Sequence, residues 1–146
     1  METIVLKGRG VVKGIGEGEA LMSPGAMVWS HGIDPATGVI DDKGNPLYRS
    51  SVKEKVFFYP QGKGSTASTY WLLETIRCGN APTAILNRET EIIIASGALL
   101  GRLLYGKVLP VVDRLEPDPL AVIENGDWVQ VDGNSGMVRV TKRRKA

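Results

Sequence analysis

The apolar positions along this chain change period several times, and each change marks an element. Residues 3–7 alternate, with Ile4 and Leu6 on one face of a short strand, and residues 19–22 form a second strand-like run. Between them stand Gly8, Gly10, Gly14, Gly16 and Gly18. That series lacks the spacing and following helix of a phosphate loop and fits a bent backbone at a barrel corner. Residues 55–59, rich in Val and Phe, predict a buried strand stopped by Pro60. After a Gly-rich turn at 61–66 the period lengthens. Over 67–78 Leu72, Leu73 and Ile76 form an apolar stripe while Glu74 and Arg77 face water, which predicts a helix. Gly79-Asn80 stops it, and Pro82 prevents its continuation.

Farther on, 83–86 and 91–95 are short β-like runs, and 97–105 predicts a second, shorter helix closed by Gly106. Residues 108–112 form an apolar strand in which Pro110 marks an edge or a bend. Residues 128–131 and 137–140 alternate in period two around Asp132-Gly133-Asn134-Ser135-Gly136, a hairpin pattern. The strand–helix–strand–helix–strand order predicts an α/β fold: a central parallel sheet with flanking helices and antiparallel β segments packed against it. The expected organisation is one domain over 1–140 followed by a basic C-terminal tail, 141–146. The connection at 31–48 is polar and carries turn signals at Asp34-Pro35 and Lys43-Gly44-Asn45-Pro46. Connections of that length are often functional.

Composition narrows the function classes. With 42% hydrophobic and 23% charged residues the chain is globular rather than disordered. Its net charge of +2 is uneven, because four of the eighteen basic residues lie in the tail, which reads as a solvated terminus. The near-neutral remainder has no basic groove with interleaved aromatics, so no nucleic-acid partner is expected. One cysteine and one histidine exclude a disulfide framework, a Cys-rich metal site and most His-based ones built by this chain alone. No apolar run approaches a membrane span and no signal-peptide pattern opens the chain, so the expectation is a cytoplasmic protein with no membrane partner.

The sharpest local pattern is strand, then Gly62-Lys63-Gly64-Ser65-Thr66, then helix. A helix N-terminus offers unpaired N–H groups and partial positive charge, glycines admit a ligand close to the backbone, and Lys63 adds a full charge. Such a loop suits a carboxylate or phosphate and would also help a serine oxygen that takes or gives a proton. Ser65 and Thr66 fit equally well as helix caps, and both readings stand at this point. The loop is not a nucleotide P-loop, whose glycine spacing differs. His31 is the one imidazole available for acid–base work, or else an exposed loop residue. Cys78, near the end of the first helix, reads as structural. Asp34, Asp41 and Asp42 read as turn residues, whereas Asp113, just after an apolar strand, sits where α/β sheets often meet ligands.

Pro60-Gln61-Gly62-Lys63-Gly64-Ser65-Thr66, followed by Tyr70, Leu73-Glu74, Gly79-Asn80-Ala81-Pro82 and Ala84-Ile85, resembles the small subunit of aconitase X. The resemblance continues through Glu91-Ile92-Ile93, Gly97-Ala98 and Pro110-Val111-Val112-Asp113, and upstream through Gly32-Ile33-Asp34-Pro35, Thr37-Gly38 and Pro46-Leu47. It implies a swivelling β/β/α domain, with Ser65 as the catalytic serine and Gly62, Lys63, Gly64 and Thr66 as substrate-binding residues of its loop. It also implies a large aconitase-like partner subunit that holds an iron–sulfur cluster, with no cofactor on this chain alone. The implied reaction is dehydration of a small anionic hydroxy acid. The family acts on (R)-5-phosphomevalonate, in the mevalonate route to isoprenoids, and on cis-3-hydroxy-L-proline. The Pro-Val-Val-Asp and Glu91-Ile-Ile-Ile runs lean toward the first. The chain departs from the family pattern at Ser68-Thr69, usually Gly-Ser, and at Asn45, often His. A non-catalytic anion-binding module with the same loop is the alternative class.

A second resemblance runs from Gly126 to Gly133 and on to Gly136 and Val138. It is similar to the end of the phosphohistidine swivel domain of phosphoenolpyruvate-using enzymes. That chemistry needs a histidine in a Gly-Gly-x-x-Ser-His-Ala loop, and the one histidine here lies well upstream in Trp29-Ser30-His31-Gly32. The second likeness therefore supports the fold and argues against phosphohistidine transfer.

Overall fold

Two long strands, β1 (Thr3–Val12) and β2 (Ile15–Met22), hold four glycines of the series. Gly14, at φ 137°, lies in the turn between them, and register shifts interrupt β1 at Gly8 and Val11. The structure, a computed structural model, describes residues 2–63 and 65–143. The remaining elements are β3 (Val56–Phe58), α1 (Ala67–Arg77), β4 (Ala84–Leu86), α2 (Ile92–Tyr105), β5 (Val111–Glu116), α3 (Pro119–Val122), β6 (Trp128–Asp132) and β7 (Met137–Thr141). Among the described residues no helix is long and apolar enough to cross a membrane.

The expected central parallel sheet with flanking helices is not what forms. The strands close into a mixed barrel of seven, in the order β1-β5-β4-β3-β2-β6-β7. β2, β3, β4 and β5 are parallel neighbours, and the other pairings are antiparallel. Closure depends on the length of β1. Its first half, Thr3 to Lys7, pairs with β7, and its second half, Lys7 to Val12, pairs with β5, so one strand joins both ends of the sheet. Its glycines permit this. A Cβ on Gly10 would lie 2.1 Å from the carbonyl oxygen of Gly133, and one on Gly8 would lie 2.3 Å from that of Asp113. The backbone therefore approaches more closely than any side chain allows.

Two apolar cores follow from the alternation of the strands. Val56, Phe58, Ala84, Leu86 and Val112 face the barrel interior with Val129, Val131, Val138 and Val140. Phe57, Ile85, Val111 and Leu21 face outward under the helices with Leu72, Ile76, Ile94 and Ala98. Strands covered on both faces read as continuous apolar runs, as β3 and β4 do. The long polar connection is also no open loop. Trp29, Ile33, Ile40 and Val52 are fully buried in the outer core, and β-bridges join Ile33 to Ile40 and Val39 to Ser51.

α1 matches the expected helix closely. α2 is longer than expected, because 91–95 is not β-like: Ile92 opens the helix. A β-branched run lowers helix propensity, yet burial of Ile94 and Ala98 overrides it. α2 crosses α1 closely at Gly97 and Gly101, where added Cβ atoms would meet Thr69 O at 3.0 Å and Ile76 Cδ1 at 2.8 Å. At the C-terminus Thr141 ends β7, and Lys142 packs its ammonium 2.5 Å from the buried Asp127 carboxylate. The rest of the basic tail, 144–146, lies outside the described residues.

Candidate active site

Because β3, β4 and β5 run parallel, the connections leaving β3 and β4 both start at their C-terminal ends, where ligands of α/β sheets bind. The first connection carries Gly62, Lys63, Ser65 and Thr66 into α1. The second carries Asn87 to Glu91 into α2. The first is held by backbone bonds: Arg88 N and Glu89 N donate to Pro60 O, Met27 N donates to Gln61 O, and Lys63 N donates to Met27 O. The Glu91 side chain reaches across to this connection: a Cβ on Gly62 would lie 2.1 Å from one of its carboxylate oxygens.

Ser65 is exposed immediately before α1. Its carbonyl accepts from Ser68 N at 3.0 Å and its hydroxyl oxygen accepts from Ala67 N at 3.3 Å. That long bond is the cap contact that the sequence allowed, and Thr66, at the helix boundary, makes no side-chain cap. Among the described residues the Ser65 hydroxyl has no other hydrogen bond. Lys63 and Thr66 are exposed beside it, and Gly64 lies outside the described residues.

The other candidates separate cleanly. Ser68 is buried and its hydroxyl accepts from Ser30 N at 3.1 Å, which ties the turn at 29–31 to the first turn of α1. His31 is thereby brought alongside that helix. It has a left-handed φ of 64°, its Nδ1 lies 3.0 Å from the Ser30 hydroxyl, and its ring stacks on Trp71 at 4.5 Å between centroids.

Asp113 is fully buried, and its two oxygens accept from Arg9 at 2.9 and 2.8 Å and from Thr90 N at 2.9 Å. Burial alone would raise its carboxyl, but the Arg9 guanidinium and the Thr90 amide outweigh that and hold it below the usual carboxylate range. Asp113 thus fastens β1, β5 and the loop that bears Glu91. Cys78 is exposed at the opposite end of α1. Asp34 and Asp42 accept from the amides two residues on, as turn residues do.

A cavity of about 10 Å³ lies between the two connections. Lys63, Ser65, Ser68 and Glu91 line it over the buried side chains of Met27 and Trp29. Glu91, Ser68 and Arg9 are not among the candidate site residues that the sequence offers. For Glu91 a signal existed, because Thr90-Glu91 follows the apolar run 84–86 much as the glycine loop follows 55–59. Reading 91–95 as β-like hid its place at a helix start. A resident iron–sulfur cluster does not fit this chain. Its lone cysteine is remote from the serine loop, and among the described residues no three His, Cys, Asp or Glu side chains converge as metal ligands.

Comparison with known proteins places this geometry in a family. The phosphomevalonate dehydratase small subunit of Methanococcoides burtonii is 36% identical over 143 residues, covering 98% of this chain and all of that protein. Its counterpart in Methanosarcina acetivorans is 39% identical over 142 residues, covering 97% of this chain and 94% of the relative. The crystal structure of holo-form aconitase X from Thermococcus kodakaraensis superimposes with a TM-score of 0.85 at 32% identity, covering 95% of this chain and 99% of that one. The family description "Aconitase X swivel domain" matches residues 5–140, and the chain belongs to that family.

Proposed function

We propose that this chain is the small subunit of a phosphomevalonate dehydratase, a hydro-lyase active only with a large subunit. The observation that carries the reading is the nearly full-length likeness to small subunits of that name. The exposed Ser65 hydroxyl, at the C-terminal ends of parallel strands and the N-terminus of α1, supports it.

In this reading Ser65 moves the proton of the carbon next to the departing hydroxyl. Serine is a poor base in water, so it depends on the helix N-terminus and on a partner surface that excludes solvent. Gly62, Gly64 and Thr66 are in this reading the substrate-binding residues of the loop, its backbone N–H groups meet the anionic substrate, and exposed Lys63 supplies a positive charge. The iron–sulfur cluster belongs in this reading to the large subunit, and residues 1–140 act as one unit closing over it. Such an enzyme of central metabolism works in the cytoplasm.

The test is to purify the chain alone and together with the large aconitase-like subunit of the same genome. Each is then supplied with (R)-5-phosphomevalonate and cis-3-hydroxy-L-proline. The complex is expected to dehydrate phosphomevalonate, and the isolated chain is expected to do nothing. Turnover by the isolated chain, or a complex that prefers hydroxyproline, overturns the assignment.

A further inference from the structure

Glu91 is a carboxylate whose position is set by backbone rather than by chance. It immediately precedes α2 in an extended conformation (φ −79°, ψ 146°), and its side chain does not cap its own helix. The loop that bears it is pinned on both sides, by Thr90 N on the buried Asp113 and by Arg88 N and Glu89 N on Pro60 O. From there the side chain reaches the serine loop: a Cβ on Gly62 would lie 2.1 Å from a carboxylate oxygen of Glu91. Its neighbour Glu89 is consumed by Arg114 at 2.8 Å, with Arg9 at 3.7 Å. Among the described residues Glu91 enters no ion pair.

Glu91 and Ser65 line the same small cavity, with Lys63 and the buried Ser68, between the two connections. At about 10 Å³ the cavity has the scale of one water site, and a water there would link the carboxylate to the Ser65 hydroxyl. The Ser65 oxygen already accepts from Ala67 N, which leaves its own O–H to be given to an acceptor. A nucleophile or base of this kind is activated by a second group within reach.

We infer that Glu91 is the proton partner of Ser65, a positioning residue that receives the serine proton while the serine oxygen takes one from the substrate. The inference rests on the dehydratase reading above. In the step, the Ser65 O–H bond breaks and an O–H bond forms on Glu91. The Ser65 oxygen binds the substrate proton, and the C–H electron pair becomes the new double bond as the hydroxyl leaves with its own pair. The proton held by Glu91 then returns through water to the departing hydroxide. The products are the alkene and one water, with Ser65 and Glu91 restored.

The experiment uses the assembled complex with (R)-5-phosphomevalonate. Glu91→Gln keeps the shape and the helix start, and should lower kcat about 100-fold, within the usual range for acid–base groups, with KM within a few-fold. Thermal midpoint and subunit assembly should not move. Glu91→Ala opens the cavity, and formate should restore its rate in a concentration-dependent manner while leaving wild type and Ser65→Ala unaffected. A merely structural glutamate would not be rescued in this way. A Glu91→Gln complex with kcat within a few-fold of wild type, or an Ala variant that formate does not accelerate, overturns the inference alone. A wild-type complex inactive on this substrate overturns the functional reading and the inference with it.

Discussion

Two polar regions of this protein treat their side chains in opposite ways. At the end of the antiparallel half, Asp127 is buried and its carboxylate is saturated: Lys142 Nζ lies 2.5 Å away, and the amides of Glu124 and Arg143 donate at 2.8 Å each. At the C-terminal ends of the parallel strands, Ser65 is exposed and accepts a single long bond. A buried charge without a full set of partners costs several kcal/mol, so a saturated carboxylate is what folding itself demands. A hydroxyl left short of partners at a helix N-terminus has capacity in reserve for a ligand. On the reading proposed above, the contrast separates groups that maintain the barrel from groups that serve a reaction.

The largest effect should come from the saturated side. Asp127→Ala strands the Lys142 ammonium and two amides, and should lower unfolding free energy by about 3 kcal/mol, read by denaturant titration. Turnover of the folded complex should be unchanged. The same group governs acid behaviour. Burial alone would raise the Asp127 carboxyl, but Lys142 and the two amides hold it below the usual range. A depressed folded value means that its stabilisation is complete above about pH 4 and is lost as pH falls through that depressed value. Asp113 follows the same sign. Asp127→Asn should therefore flatten the acid limb of a stability–pH curve, and an unaltered limb would exclude Asp127 as its source.

On the other side, Ser65→Ala should lower kcat of the complex about 100-fold with association intact. Should Ser65 serve only as a cap, the same change would cost about 1 kcal/mol of stability and leave kcat within a few-fold. Measuring thermal midpoint and kcat on one sample decides between them. Lys63→Ala should act more weakly, raising KM several-fold by an amount that shrinks with added salt, because an exposed charge is screened. Cys78→Ser should change least, leaving turnover of the complex, and on the proposed reading its cluster content, as they were. A colourless complex would give Cys78 a role that its exposed place on α1 does not.

What the sequence discloses divides along the same line. α1 is legible because its stripe, its glycine stop and its following proline are all local, and so is the β6–β7 hairpin. The place of the serine loop between β3 and α1 is legible for the same local reason, since Pro60 stops the strand and the helical stripe follows. Closure of the barrel is not legible, since it depends on Lys7 pairing with Met137 on one side and Glu116 on the other, more than a hundred residues away. The Arg9–Asp113 pair is hidden for the same reason. The start of α2 is lost to a different cause: a run of isoleucines favours a strand locally, while burial of Ile94 in the outer core holds it in a helix and leaves Ile92 exposed.

A closed ring of strands has no first and no last member. Every open sheet presents a row of unpaired amides and carbonyls that invites another chain to pair, and proteins must disarm that hazard with charges, bulges or covers. Here β1 joins β7 and β5, and the hazard is removed by topology. The consequence is colloidal. A subunit that waits alone for a partner can do so without templating strand pairing between copies of itself. Recognition is left to side chains and loops, contacts that can slide and part without tearing a sheet.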